Sequence, residues 1–223
     1  MTGRADLTPP RRRVPRLEDI TLADIPPEVG LFPLPGALLL PRGKLPLNVF
    51  EARYRALVDD ALASSRLIGM VQPSREEDDS DGESPGLFAI GCLGRITSFT
   101  ERADGTYALA LTGIARFRIL REDKLRCGYR VARIDSSSFI GDLMEPDVPS
   151  FDRARLLDAL RGYFARRGLS ARWSLIDDMD DMSLLTTLPM MSPFDVLEKQ
   201  ALLEAPTLDD RVRALHTMLD APA

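Results

Sequence analysis

The chain is poor in the residues that carry most enzymatic and metal chemistry. Among 223 residues His216 is the only histidine, Cys92 and Cys127 are the only cysteines, and Lys44, Lys124 and Lys199 are the only lysines. Two thiols and one imidazole do not make a four-ligand metal site, and two thiols alone specify no disulfide framework. A Ser-His-Asp triad would have to use His216, which falls in a predicted C-terminal helix away from any nucleophile signature. Aromatics make up 6% of the chain and are not interleaved with basic residues, so a base-stacking surface is not written into the sequence. No apolar run approaches the roughly 18 residues that a membrane span needs. The N-terminus lacks the apolar core of a signal peptide, so a cytoplasmic location is expected.

What remains is an ordinary globular composition: 44% hydrophobic, 28% charged, net charge −5. That charge argues against nucleic acid as the main partner, since phosphate neutralisation needs a concentrated positive face. The excess of arginine over lysine, together with a single asparagine (Asn48), reads as base composition and carries no phosphate-binding meaning. Residues 1–28 open with "MTGRADLTPPRRRVPR" and are expected to be a basic, proline-rich, disordered arm. "SREEDDSDGESPG", residues 74–86, is expected to be a solvated acidic loop. Its carboxylates lack the spacing of a calcium loop.

One stretch, "GALLLPRGKL" (36–45), ends in Gly43-Lys44 as a phosphate-binding loop does. That motif needs glycine five residues before Gly43, where Leu38 stands, and a hydroxyl after the lysine, where Leu45 stands. The stretch reads instead as a short buried strand, Ala37 to Leu40, broken by Pro41 and turned at Gly43, with Lys44 in solvent.

From Val29 to about Ile140 the signals are mostly strands: "LIGMVQ", "LFAIGCLGRITSF", "TYALALTG", "IARFRILRE" and "YRVARIDS". Asp104-Gly105 is a hairpin turn signal, Gly113 a second turn, and Arg116 and Arg118 a charged strand face. One helix interrupts them, with Asn48 and Glu51 as a capping pair and Phe50, Tyr54, Leu57, Val58, Ala61 and Leu62 as its apolar stripe. After Pro149 the period becomes helical. One helix runs from "DRARLL" to a stop at Gly168. A second starts at Ser192 and Pro193, and a third at Thr207 with Asp210 three residues on. "DDMDDMS" reads as a helix connection with aspartate at a capping position. The fold class expected is α+β, divided into the arm 1–28, a β-rich unit 29–143 with one inserted helix, and a helical subdomain 149–220.

The order of these pieces resembles the N-terminal, substrate-binding domain of Lon-type proteases. The matching points are Leu31-Phe32-Pro33-Leu34, Pro41, Leu45-Pro46-Leu47, Phe50-Glu51, Arg53-Tyr54, Gly69, Gly91, Ile96, and Gly113 with Arg116-Phe117. The resemblance implies a PUA-like β-barrel followed by a C-terminal helical bundle, in a stand-alone form lacking the ATPase and Ser-Lys peptidase modules. It also implies a non-catalytic role: recognition of unfolded or damaged polypeptides in protein quality control, with a protease or chaperone as the receiving partner. No catalytic residue, cofactor or metal is assigned. The candidate polypeptide contacts are Leu45, Leu47, Met190 and Met191, taken as loop residues, because methionine is common at adaptable binding surfaces. Phe50, Tyr54 and Phe117 are taken as core. Two other readings remain: an RNA-binding PUA-like protein using Arg95, Arg116, Arg118, Arg130 and Arg133, or a modulator of a full-length Lon protease.

Overall fold

The computed structural model describes residues 15–74, 86–147 and 149–221. The first 14 residues of the expected arm and nearly all of the acidic loop (75–85) lie outside them. Within the rest of the arm, 3-10 turns form at Leu17–Asp19 and Leu22–Asp24, and Ile20 is buried.

Six strands form one mixed sheet: β1 Glu28–Pro33, β2 Lys44–Val49, β3 Leu67–Val71, β4 Ile90–Glu101, β5 Tyr107–Glu122 and β6 Arg130–Asp135. Their order is β2-β5-β4-β3-β1-β6, and β5 also pairs with β6 through its second half. The pairings β5–β4–β3–β1–β6 therefore return to β5, with β2 outside that circuit. The β1–β3 pair is parallel and the others are antiparallel. Between β1 and β3 the chain passes through β2 and helix α1, Ala52–Leu62, which supplies the long crossover a parallel pair needs.

Strand alternation sends apolar side chains to two clusters. Val29, Leu31, Leu67, Val71, Leu93, Ala115, Phe117, Ala132 and Ile134 form one, with Ile20. Phe117 fills the space beside Gly69 and Gly91; an added Cβ at Gly91 would lie 2.6 Å from its ring. Residues on the other face, such as Phe32, Ile68, Met70, Ile90, Cys92, Tyr129 and Val131, pack in a larger cluster with the helices.

Beyond the sheet come α2 Arg153–Arg166, α3 Trp173–Asp177, α4 Asp181–Met191, α5 Val196–Glu204 and α6 Leu208–Asp220. Local chemistry sets where they start. Asp152 and Asp180 accept from Arg155 N and Ser183 N, while Asp195/Glu198 and Thr207/Asp210 form reciprocal capping boxes. The connection expected at "DDMDDMS" thus supplies the cap of a helix that the sequence reading missed. Ser192 ends α4, and the next helix starts at Asp195 instead. Gly168, with φ +64°, follows α2 as expected.

The helices do not stand apart from the sheet. Leu156, Leu160, Leu184, Leu202, Leu215 and Leu219 share the larger cluster with sheet residues. Buried polar groups tie the same boundary: Gln72 Nε2 donates to Val196 O and Gln200 Oε1 (both 3.2 Å), Gln200 Nε2 to Ile90 O (3.1 Å), and Lys199 Nζ to Gly36 O (2.7 Å). A bundle with its own core is not what this arrangement makes.

Four local expectations change. Leu38, Leu39 and Leu40 are buried but form no strand; Lys44 is exposed and opens β2. Asn48 lies in β2, where it accepts from Arg102, and Glu51 holds the N-cap position of α1 without a side-chain cap bond. Phe50 is 69% exposed, whereas Tyr54 and Phe117 are core. Gly113 is not a turn. β5 runs straight through it, with Ile114 left over as a bulge between the Gly94–Gly113 and Leu93–Ala115 pairs.

The reason for a glycine there is close approach: a Cβ would sit 2.0 Å from Leu40 O, and Gly113 exchanges backbone bonds with Gly43 O and Arg42 N (2.8 Å each). Gly113→Ala is expected to cost about 3 kcal/mol or more through forced displacement of the 37–43 segment. A urea midpoint unchanged from the wild type would contradict this packing.

Candidate functional site

A cleft lies where the end of β1, strand β2, the start of α1 and the β5–β6 turn meet. Its volume is about 300 Å³. Pro33 and Pro35 bring β1 to an end beside it, and Leu47, Asn48, Val49 and Phe50 form one wall. β2 pairs with β5 alone among the described strands, so its other edge is open. Gly113 N donates to Gly43 O, which makes Gly43 a bonded position. By alternation Leu45, Leu47 and Val49 bond toward β5, while the backbone groups of Lys44, Pro46 and Asn48 point to the open edge. Pro46, which has no N–H, therefore costs the sheet nothing at that position.

The opposite wall is the β5–β6 turn. Cys127 (φ 47°) and Gly128 (φ 86°) form its two central residues, closed by Arg126 N to Tyr129 O (3.0 Å) and Tyr129 N to Arg126 O (2.9 Å). Two successive positive φ values match the twist of the flanking strands. The turn lifts Leu125 to 63% exposure across from Phe50.

The floor is rigid. Tyr54 stacks on Phe32 with ring centroids 4.2 Å apart, and the Arg53 guanidinium lies 4.7 Å from the Tyr54 ring. Tyr129, 2% exposed, donates its hydroxyl to Asp60 Oδ2 at 2.5 Å. Burial, and then that hydrogen bond and the Asp60 charge, push its phenol up to about 12. Charges at the rim are paired: Arg53 with Glu51 at 2.8 Å and Arg130 with Glu122 at 2.6 Å. The cleft offers exposed apolar side chains, a free strand edge and a fixed floor. Those features suit an extended apolar segment.

The residues singled out from the sequence are distributed as follows. Leu45 and Leu47 lie in β2, not in a loop, and Leu47 is buried at the cleft wall. Met190 and Met191 end α4; Met190 packs against Gly43 and Met191 is 75% exposed. β2 links the two places, since it starts at the Met190 contact and ends at Phe50. Phe50 was expected in the core, and Leu125 was not singled out. The first sits at helical spacing from Tyr54 but precedes the helix; the second depends on a turn whose Cys-Gly pair is an unusual signal. His216 is in α6 with Nδ1 buried and unpartnered among the described residues. Among those residues no cluster of His, Cys, Asp or Glu could hold a metal ion, and no helix is long and apolar enough to cross a membrane.

The family model for the ATP-dependent protease La (LON) substrate-binding domain matches residues 28–221. Curated relatives include Lon protease 2 of Myxococcus xanthus, 32% identical over 117 residues that cover 52% of this chain and 14% of that protein. Lon protease of Anaeromyxobacter dehalogenans is 28% identical over 126 residues, 56% of this chain and 15% of that one. The match thus spans about one-seventh of the relatives' length. A crystal structure of a Lon N-terminal domain protein from Xanthomonas campestris superposes with a TM-score of 0.58 at 24% identity, covering 87% of this chain and 99% of that one. The N-terminal domain of Mycobacterium avium complex Lon protease gives 0.59 at 18% identity, covering 88% and 100%. At these identities the two structures establish a shared fold.

The floor can be tested through Tyr129. Its folded pKa lies above the unfolded value of about 10, so the protonated phenol stabilises the fold below pH ~10, and this contribution is lost as pH rises toward 12. Tyr129→Phe is expected to lower stability by about 1–2 kcal/mol at neutral pH. It should also flatten the alkaline decline in urea midpoint relative to wild type. Parallel declines between pH 9 and 11 would show that the Asp60 bond does not hold this floor.

Proposed function

The chain belongs to the family of LON substrate-binding domains, and from that premise we propose that it is a non-catalytic module that captures unfolded or damaged polypeptide. The observation that carries this reading is the cleft beside the open edge of β2, lined by the exposed Phe50 and Leu125. An extended segment laid along β2 would bond to the outward Lys44, Pro46 and Asn48 backbone groups and place alternate side chains between Phe50 and Leu125. Leu47 supplies part of the wall. Leu45, Met190 and Met191 form a second apolar contact where β2 begins.

In this reading the circuit of strand pairings is the PUA-like β-barrel of residues 29–143, and residues 149–220 act as a helical subdomain that braces it. The setting is cytoplasmic protein quality control, with a protease or chaperone receiving the captured chain. An RNA-binding role draws less support. Of the five strand arginines it would use, Arg116 is buried against Asp142, Arg130 pairs with Glu122, and Arg95 donates to Pro15 O.

The test is a fluorescence-anisotropy titration with a labelled, permanently unfolded polypeptide, beside a folded control and a labelled RNA at two salt concentrations. Saturable, salt-tolerant binding to the unfolded polypeptide alone is expected. Phe50→Ser and Leu125→Ser should each weaken it about fivefold or more, as removal of a central apolar anchor does. Both side chains are exposed, so stability should change by less than about 0.5 kcal/mol. Equal binding to folded and unfolded polypeptide, or wild-type affinity in both variants, would sink the proposal.

A further inference from the structure

A second cleft of about 320 Å³, sharing no lining residue with the first, opens at the start of α6. Arg211, in the first turn of that helix, lines it and is only 4% exposed. Its Nε donates to Leu202 O at 3.2 Å, and this is its one side-chain hydrogen bond among the described residues. A guanidinium carries five N–H donors, so both Nη groups are without partners. The neighbouring carboxylate, Asp142, is already committed. Arg116 reaches it through its backbone N, Nε and Nη2, each at 2.9 Å. Arg211 thus has no ion-pair partner among the described residues, and an unpaired buried cation is costly.

The helix adds donors at the same place. Asp210 N is taken by Thr207 Oγ1 (3.1 Å) and Arg211 N by Thr207 O (3.1 Å). The amides of Leu208 and Asp209 have no intrahelical partner, and Thr207 and Leu208 line the cleft. We propose that this cleft binds a small oxyanion, a phosphate or carboxylate group, held by the Arg211 guanidinium and the first-turn amides of α6. Such a ligand would supply the missing counter-charge and meet the positive end of the helix dipole. Burial and the nearby Arg116 charge push the Arg211 guanidinium down to about 10, which leaves it charged at neutral pH. Arg42 stands at the mouth, bonded to Met144 O at 2.5 Å, together with the exposed Glu145 and Asp147. Those two carboxylates repel an extended polyanion, so the site selects a compact group.

The experiment uses the full chain. Sodium phosphate and sodium acetate are each titrated at constant ionic strength against sodium chloride, with thermal unfolding and calorimetric binding as readouts. Saturable stabilisation by one or both oxyanions, without a matching chloride effect, is expected; the tighter of the two identifies the group as phosphoryl or carboxylate. Arg211→Met should raise the dissociation constant roughly tenfold or more. Because Arg211 is buried, that variant can fail to fold. Leu208→Pro then decides: proline suits the first helical position, removes one cleft amide, and should weaken binding severalfold. Equal effects of all three salts would mean an adventitious ion only and overturn the site. So would oxyanion binding unchanged in Arg211→Met or, where that variant does not fold, in Leu208→Pro.

Discussion

Arg116 reaches two other parts of the chain from the middle of β5. Its side chain pairs with Asp142 in the 3-10 segment Ser137–Leu143, donates to the carbonyls of Leu203 and Ala205 at the end of α5, and lies 4.9 Å from the Phe139 ring. Both partners of the ion pair are nearly sealed, at 8% and 11% side-chain exposure. A charge in that position is costly unless it is paired and hydrogen-bonded, and Arg116 makes four side-chain bonds, two to the carboxylate and two to backbone carbonyls. The bulge at Ile114 is what makes it possible. It leaves Gly113 through Phe117 all buried, so the guanidinium enters the interface between sheet and helices instead of facing water.

The remaining architecture follows from that join. With α5 and α6 fixed against β4 and β5, Gln72, Gln200 and Lys199 find partners across the same boundary, and one apolar cluster runs from the sheet into the helices. The helices cover one face of the sheet, α4 reaching the start of β2 at Met190, and leave the outer edge of β2 unpaired among the described strands. The apolar cleft is therefore part of the rigid frame. Its floor is stacked aromatic rings and a buried phenol, and its walls are a sheet edge and a two-residue turn. A site so held can take varied extended segments without reorganising, because backbone bonds and exposed apolar groups make few demands on sequence.

Much of this was legible in the sequence, wherever the signal was local. Thr207 and Asp210 announced α6, "DDMDDMS" an aspartate cap, Asp104-Gly105 a turn, and the apolar runs of β3 and β4 their strands. Long-range constraints left weaker marks. "KLPLNV" looks like a loop because Pro46 sits in it, yet proline is compatible with the outward positions of an edge strand. Leu38–Leu40 are buried by the approach of Gly113, and no neighbouring strand pairs with them. Arg116 and Arg118 do share one face of β5, but the segment 137–143 and the end of α5 cover the first and leave the second exposed. Phe50 continues a helical stripe in sequence and sits just outside the helix in space. Of the cleft, Leu47 was anticipated. Phe50 and Leu125 required the turn and the strand edge to be seen together.

The claim on which this account turns is that captured polypeptide lies along β2 within a frame that does not move. Hydrogen exchange followed by mass spectrometry, with and without saturating unfolded polypeptide, tests it directly. Slowed exchange confined to residues 44–54 and 125–130 is expected, with α2, α5 and α6 unchanged. Slowing spread through the helices, or centred on the end of α4 with β2 unaffected, would contradict it.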